Sequence, residues 1–388
     1  MSPLLIVALA AFVLGLAWAF MVGAWRDAFA TAWQRELGRT GEESANGLVS
    51  LVIPARDAAG TIAPLLQDLH AQQWPKEAME VLVVDDGSSD GSGEVVRGMM
   101  HTWPGLQLLT ATEPGKKAAI TRGVHHARGE WVVLTDADGR CGAQRVPRIM
   151  VALRRSGADL LLLPVETRGT GGLLQRMQEE EQAALLGVAA GTALQGRPVL
   201  ANGANMAFRK ASFVKVGGYA GDAWASGDDL FLLRRMRKAG LRVDFLADPR
   251  AAVTVEAETT WAGWWRQRLR WVGKMRAVGG GGGWLAAAGL LYPWFLVCFT
   301  AAITVERLMV ARPMAILLFW SASWLLWIGP VVGLVRTARR FLAKVPGAPV
   351  GHHGMAATVL ALFAFSCYAP VVALASLVVR PSWKGRRI

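Results

Sequence analysis

Charge is scarce in this 388-residue chain: Asp, Glu, Lys and Arg make up 18% of it, against about 25% in an ordinary soluble domain. Cysteine is scarcer still. Cys141, Cys298 and Cys367 are too few for a disulfide framework, and no CxxC pair offers a zinc site. Two of the three lie in apolar runs and read as packing residues. There is no internal repeat, and the one low-complexity stretch is Gly279–Gly283. These absences exclude the collagen-like, disordered and disulfide-stapled classes, and the shortage of charge argues against a wholly soluble protein. The charges that remain are lopsided. A formal net charge of +13 suits an anionic membrane surface, a phosphorylated substrate or nucleic acid.

Hydrophobic residues, at 53% of the chain, are concentrated at its two ends, and the mean hydropathy is +0.31. Four runs carry no charged residue: Ser2–Trp25, Trp284–Val305, Pro313–Val335 and Met355–Val379. Each reaches the roughly 20 residues a helix needs to cross a hydrocarbon core of about 30 Å. The first run lacks a basic leader region and a small-x-small cleavage site, so it reads as an uncleaved anchor. Arg26, Arg35 and Arg39 follow it and nothing basic precedes it, which places the middle of the chain in the cytoplasm. The loop containing Arg336, Arg339, Arg340 and Lys344 falls on that same side if all four runs cross. Arg380, Lys384, Arg386 and Arg387 then fall on the opposite side, against the rule. Pro370 within the last run makes a kink or a re-entrant segment an alternative.

Residues 48–255 differ in character. Leu48–Pro54, Glu80–Val84 and Trp131–Thr135 read as strands and Thr61–Gln73 as a helix, with Gly/Asp turns between. Near-continuous apolar strands alternating with helices indicate a parallel sheet covered on both faces. In such open α/β sheets a ligand sits at the carboxyl ends of the strands, and two acidic clusters lie there. Asp136-Ala137-Asp138 is either a polar turn or a pair of carboxylates able to hold a hard divalent cation against a substrate diphosphate, making it a better leaving group. Asp85-Asp86-Gly87-Ser88-Ser89-Asp90 is a second acidic turn, whose carboxylate can accept from the imide N–H of a uracil base. Lys116 and Lys117 are either a solvated basic surface or phosphate contacts.

Trp224–Leu230 opens a further helix, with Arg234, Arg235, Arg237 and Lys238 in its later turns, where cations suit the dipole. Its early acids, Asp228 and Asp229, are either caps or a general base for an acceptor hydroxyl. Trp261, Trp264 and Trp265 precede Gln267-Arg268-Leu269-Arg270-Trp271. Aromatics and arginines before a span suit an amphipathic helix at the membrane surface. A sharper reading has one arginine neutralising a diphosphate and Trp271 packing beneath a sugar or lipid head.

Taken in order, IPARD (Ile53–Asp57), VVDDGSSDGS (Val83–Ser92), GKKAAI (Gly115–Ile120), LTDADG (Leu134–Gly139), NGANMAFRK (Asn202–Lys210), GDD (Gly227–Asp229) and QRLRW (Gln267–Trp271) resemble the membrane-bound family-2 glycosyltransferases, over about residues 48–280. The resemblance implies an α/β GT-A fold, Rossmann-like with a mostly parallel sheet, plus α-helical transmembrane segments. It also implies an inverting transfer from a nucleotide-diphosphate sugar, usually UDP-linked, with Mg²⁺ or Mn²⁺. By position, Pro54, Arg56, Asp57, Asp86, Lys116 and Asp136 would bind the nucleotide sugar, and Asp138 with Asp136 the metal. Gly203, Ala204 and Asn205 would line the acceptor side with Gln267, Arg268, Arg270 and Trp271, which lie in the stretch Gln267–Trp271 that matches the family's Q-x-x-R-W signature. Asp229 would be the base, beside Asp228. The chain reads Asp57-Ala58 where the family often has Asn-Glu, and Gly227-Asp228-Asp229 where it has a Thr-Glu-Asp type triplet.

The expected organisation is an anchor over 1–25, a linker over 26–47, the catalytic domain over 48–255, an interfacial segment over 256–283 and about three membrane helices over 284–388. The expected partners are the nucleotide sugar, the bilayer and either a lipid acceptor or a growing glycan, with no nucleic acid polymer. The expected location is an integral protein of a bacterial inner membrane with its catalytic domain cytoplasmic. A lipid acceptor is favoured because four spans leave little material for a polymer channel. A catalytically dead scaffold would be expected to have lost one of the acids, yet all are present.

Overall fold

A computed structural model describes residues 3–39, 47–221, 227–278, 281–307, 314–348, 354–379, 382–383 and 386–387. In chain order the elements begin α1 (Pro3–Leu37), β1 (Val49–Ala55), α2 (Ala59–His70), β2 (Met79–Asp85), α3 (Ser92–Met100), β3 (Leu106–Thr110), α4 (Lys116–His126), β4 (Trp131–Thr135), β5 (Arg140–Cys141) and α5 (Arg145–Ser156). They continue β6 (Leu160–Leu162), β7 (Val165–Arg168), α6 (Leu173–Leu194), β8 (Asn205–Arg209), α7 (Lys210–Lys215), α8 (Asp228–Lys238), β9 (Val243–Phe245) and β10 (Val253–Glu256). The long helices α9 (Trp261–Val278), α10 (Gly281–Arg307), α11 (Met314–Leu342) and α12 (Met355–Val378) follow.

The apolar runs form strands because both of their faces have somewhere to go. Seven strands lie in the order β3-β2-β1-β4-β8-β6-β9. β1 to β4 run parallel, with Val49 opposite both Met79 and Trp131, and β8 is antiparallel to β4 and β6. Leu51, Ile53, Val81, Val83 and Val133 face α2, α3 and α5. The alternate residues Val52, Leu82, Val84, Val132 and Leu134 face α4, α6 and α8. Each such side chain removed from water contributes about 1.5–3 kcal/mol. A small sheet, β5-β10-β7, closes over the carboxyl end of β4.

One face of the sheet has an additional cover. Phe29 of α1 and Val335, Ala338, Phe341 and Leu342 of α11 belong to the same buried cluster as α4 and α6, and the Phe29 and Phe341 rings meet at 5.1 Å. Residues 26–37, expected as part of a linker, are therefore the last turns of α1. Trp25, Phe29 and Trp33 recur every fourth residue and give that stretch an apolar stripe to bury. Likewise Gly281–Gly283, the described part of the low-complexity stretch, begin α10.

α1, α11 and α12 are long and apolar enough to cross a membrane. Their outward side chains are apolar, as at Val13, Phe20, Leu325 and Leu360. The fourth expected span falls on α10, whose apolar described stretch, Leu291–Thr304, is shorter than a span. The basic tail residues Arg380 and Lys384 lie outside the described residues.

Two glycines on α6 let the membrane helices approach. A Cβ at Gly191 would stand 2.3 Å from Cβ and 2.9 Å from the backbone oxygen of Trp25, and one at Gly187 would stand 2.7 Å from Leu334 Cγ. The obstacle at Gly191 is backbone and cannot swing aside. Gly191→Ala is expected to cost about 1–3 kcal/mol through overpacking and to lower the thermal unfolding temperature of the detergent-solubilised protein. Gly98→Ala, inside α3 with open space around it, is expected to leave that temperature unchanged or raise it.

Candidate active site

The carboxyl ends of β1, β2 and β4 open into one cavity of about 690 Å³. Each strand delivers its acid because the apolar run ends where a turn begins. After β2, Asp86 is 4% exposed. Its Oδ1 accepts from the Gly115 N–H at 2.7 Å, while Arg56 Nη1 lies 3.8 Å from Oδ2. After β1, Asp57 sits at φ 45°, the only positive φ of a non-glycine among the described residues. Asp is one of the few residues that tolerate it. Reciprocal bonds hold the turn: Asp57 N–H donates to Ser88 Oγ at 2.9 Å, and Asp57 Oδ1 accepts from Ser89 N–H at 3.0 Å. The ends of β1 and β2 are thereby tied into one wall.

After β4 come Asp136 and Asp138. Beneath them Arg145, fully buried, donates from Nη2 to Thr135 Oγ1 at 2.6 Å and to the Leu134 carbonyl at 3.3 Å. Burial pushes its pKa down. Asn205 Oδ1 accepts from the same Nη2 at 2.9 Å, and its Nδ2 donates to the Pro164 and Ala251 carbonyls at 2.7 and 3.0 Å. Asn205 is 0% exposed and does not line the cavity. Its expected place on the acceptor side is therefore corrected. As the first residue of β8 it points inward, while Gly203 and Ala204 in the preceding turn do line the cavity.

Lys116 opens α4 and reaches across the cavity. Its Nζ lies 2.8 Å from Asp136 Oδ1 and 3.2 Å from Asp228 Oδ2. Burial alone would lower its pKa, but Asp136, Asp228 and Asp229 outweigh burial and raise it, so it stays charged. Asp229 is 3% exposed. It accepts from the Leu230 N–H at 2.8 Å and from the Gly203 N–H at 3.3 Å. Gly203 is required by close approach: a Cβ there would stand 2.5 Å from Asp228 Oδ2. Residues 222–226, which include the expected start of this helix, lie outside the described residues.

α9 supplies the fourth wall with Gln267, Arg268, Arg270 and Trp271. The two arginines differ in state. Arg268 is 3% exposed and is engaged by Glu181, with Nε 3.1 Å from Oε2, and its guanidinium lies 4.5 Å from the Trp271 ring centroid. The Arg270 side chain makes no hydrogen bond or ion pair among the described residues. Burial lowers its pKa, opposed by Glu258 and Asp136. Arg270 is thus the guanidinium available to an incoming anion.

Asp138 is also unpaired among the described residues, exposed to the cavity beside Asp136. Two carboxylates two residues apart are hard oxygen donors that fit Mg²⁺ or Mn²⁺. No group of three or more His, Cys, Asp or Glu side chains suited to a metal occurs among the described residues, so the remaining ligands would be substrate phosphate and water. Burial first, then the like charges of Asp138 and Asp229, raises the Asp136 pKa against the pull of Lys116. Proton and metal compete for that carboxylate. Mn²⁺ affinity, titrated calorimetrically with a nucleoside diphosphate present, is expected to fall with decreasing pH from above the ordinary carboxylate range. Asp136→Asn is expected to remove that component of the dependence.

Residues 50–217 match the family model described as Glycosyl transferase family 2. That stretch is a family 2 glycosyltransferase domain. The transferase domain carries β1 to β8 and most of the acids above, while Asp228, Asp229 and α9 lie beyond the matched residues. Among curated relatives, the probable glycosyltransferase YdaM of Bacillus subtilis is 28% identical over 232 residues, 58% of this chain and 54% of that protein. The poly-β-1,6-N-acetyl-D-glucosamine synthase of Staphylococcus aureus is 24% identical over 226 residues, 58% of this chain and 53% of that protein. The chain spans about half the length of these relatives. Among solved structures, the mannosyltransferase PcManGT from Pyrobaculum calidifontis, in complex with GDP-Man and Mn²⁺, aligns with a TM-score of 0.53 at 20% identity, covering 92% of this chain and 99% of that one. The α/β fold of the transferase domain is the GT-A fold, with the candidate membrane helices added.

With the single exception of Asn205, every expected site residue lines this cavity. Several functional-site residues were not expected. Thr167 on β7 and Gln178 and Gln182 on α6 also line it, and Arg145 and Glu181 hold lining elements from behind. The run Glu179-Glu180-Glu181 reads as a solvated face in sequence. Only its burial against α9, α11 and α12 marks it out.

Proposed function

We propose that this protein is an inverting glycosyltransferase that moves a sugar from a nucleotide-diphosphate donor, UDP-linked, to a lipid acceptor at the cytoplasmic face of a membrane. The observation that carries the reading is the convergence of Asp86, Lys116, Asp136, Asp138, Asp229 and Arg270 on one cavity beside apolar helices. Asp57 and Asp86 hold the nucleoside. Asp136 and Asp138 would hold Mg²⁺ or Mn²⁺, which neutralises charge on the departing diphosphate. Arg270 and Lys116 meet the same charge, electrostatic stabilisation being the largest contribution in such transfers. Asp229, on the Gly203 side, takes the proton from the acceptor hydroxyl. The oxygen then attacks the anomeric carbon opposite the leaving diphosphate, inverting it.

The lipid reading is supported by α9, which lines the cavity and packs on α12 through Trp264 and Tyr368, with ring centroids 4.8 Å apart. The cavity wall is thereby continuous with an apolar helix. The similarity to poly-β-1,6-N-acetyl-D-glucosamine synthase favours a second reading, extension of a polymer. The test incubates solubilised protein with membrane lipid extract, Mn²⁺ and a panel of radiolabelled nucleotide sugars. Label in a small organic-soluble product supports lipid glycosylation. Label in a long water-soluble chain replaces it with the polymer reading, and absence of transfer from every donor sinks both.

A further inference from the structure

A second cavity, of about 760 Å³, lies where the transferase domain meets the membrane helices. Its floor is β7 and the following turn into α6. Its wall is the last turns of α11 and the first turn of α12, where Gly354, Ala357 and Thr358 line it. The end of one candidate span and the start of the next therefore border it, which sets it at the depth where helices leave hydrocarbon. Thr167 lines both this cavity and the one described above, so β7 separates the two.

The lining is strongly basic. Arg168 is paired with Glu166 at 2.6 Å, and Arg339 lies 3.6 Å from Glu179 and 3.5 Å from Glu180. The guanidinium groups of Arg176, Arg336 and Arg340, which also line the cavity, make no hydrogen bond or ion pair among the described residues. Three like charges held around one concavity repel one another and want a polyvalent anion. Leu173, one helical turn before Arg176, is 79% exposed and offers apolar surface beside the charges. Basic pockets next to membrane helices on the cytoplasmic side suit phosphate-bearing headgroups.

We infer that this second cavity binds the phosphate-bearing headgroup of an anionic membrane lipid, separately from the donor and acceptor of the transferase cavity. The inference does not rest on the transfer reaction, and its test does not use it. Full-length protein, delipidated in a neutral detergent, is titrated with short-chain phosphatidylglycerol and followed by intrinsic fluorescence, with short-chain phosphatidylcholine as the uncharged comparison. Phosphatidylglycerol is expected to bind and phosphatidylcholine not. An arginine at an anionic lipid surface is worth about fivefold in affinity, so the triple variant R176Q/R336Q/R340Q is expected to lose about a hundredfold. Should the triple variant fail to fold, R340Q alone is expected to lose about fivefold, while R340K retains affinity. Equal affinity in the glutamine variants, or equal binding of the two lipids, overturns the inference. Inorganic pyrophosphate that binds as tightly as phosphatidylglycerol and displaces it also overturns it, by assigning the cavity to a soluble phosphate.

Discussion

Asp229→Asn is expected to reduce transfer by about 10²- to 10⁴-fold, the usual worth of a general base, while donor affinity changes less than twofold. The substitution keeps the size of the side chain, and the amide oxygen can still accept from the Gly203 N–H that now lies 3.3 Å from Oδ2. It removes the ability to take a proton, together with the second acceptor oxygen, which now faces the Leu230 N–H at 2.8 Å, and one of the three negative charges around Lys116, of which Asp136 and Asp228 remain. Asp228→Asn is expected to behave differently. Asp228 Oδ2 lies 3.2 Å from Lys116 Nζ, so its loss disturbs the charge balance around the diphosphate and should weaken donor binding. Measuring donor affinity and single-turnover transfer separately for both variants checks the assignment. Retained turnover in Asp229→Asn would exclude it as the base, and full loss in Asp228→Asn with donor binding intact would transfer the role to its neighbour.

Glu181→Ala is expected to be the most destabilising of the site variants. Arg268 is buried and its guanidinium is compensated by Glu181. Removing the carboxylate leaves a buried charge without an ionic partner, at about 3–5 kcal/mol, which corresponds to roughly 10 °C in unfolding temperature. Transfer should fall as well, because α9 carries Arg270 and Trp271 into the cavity and Arg268 is the residue that pins α9 to α6. The double variant Glu181→Leu with Arg268→Met tests the cause. If the penalty is an unpaired charge, apolar replacement of both partners restores most of the stability. If the double variant is as unstable as Glu181→Ala, the loss is one of shape.

The sheet and the acid-bearing turns could be read in the sequence because each strand is an apolar run that ends abruptly in Asp and Gly. Burial on both faces and a turn at the carboxyl end leave a local trace. α9 was legible for a similar reason, since tryptophans and arginines crowd into one short stretch. What was not legible depends on contacts between segments far apart. Asn205 is adjacent to two cavity residues, yet the two-residue period of β8 turns it inward, where Arg145 and two carbonyls satisfy it. Arg145 reads as an ordinary surface arginine until β4 and β8 are brought together above it. Gln178, Glu181 and Gln182 sit in a polar stretch of α6 that looks solvated, because nothing in that stretch announces α9 as its partner. Residues 26–37 look like a linker by their charges, although Phe29 and Trp33, four residues apart, pack on the domain.

That last point sets a geometric condition on the substrate. α1 is an unbroken helix of 35 residues, about 52 Å long at 1.5 Å per residue, and a hydrocarbon core takes about 30 Å of that. The remainder is clamped into the transferase domain at Phe29. A helix so continued does not act as a tether on which the domain can swing. In the proposed transfer at a membrane it acts as a gauge that fixes the reacting carbon at one height above the bilayer. A lipid acceptor of the proposed kind would then carry its hydroxyl to that height by the length of its own headgroup, and selection among such acceptors would be in part a measurement of reach.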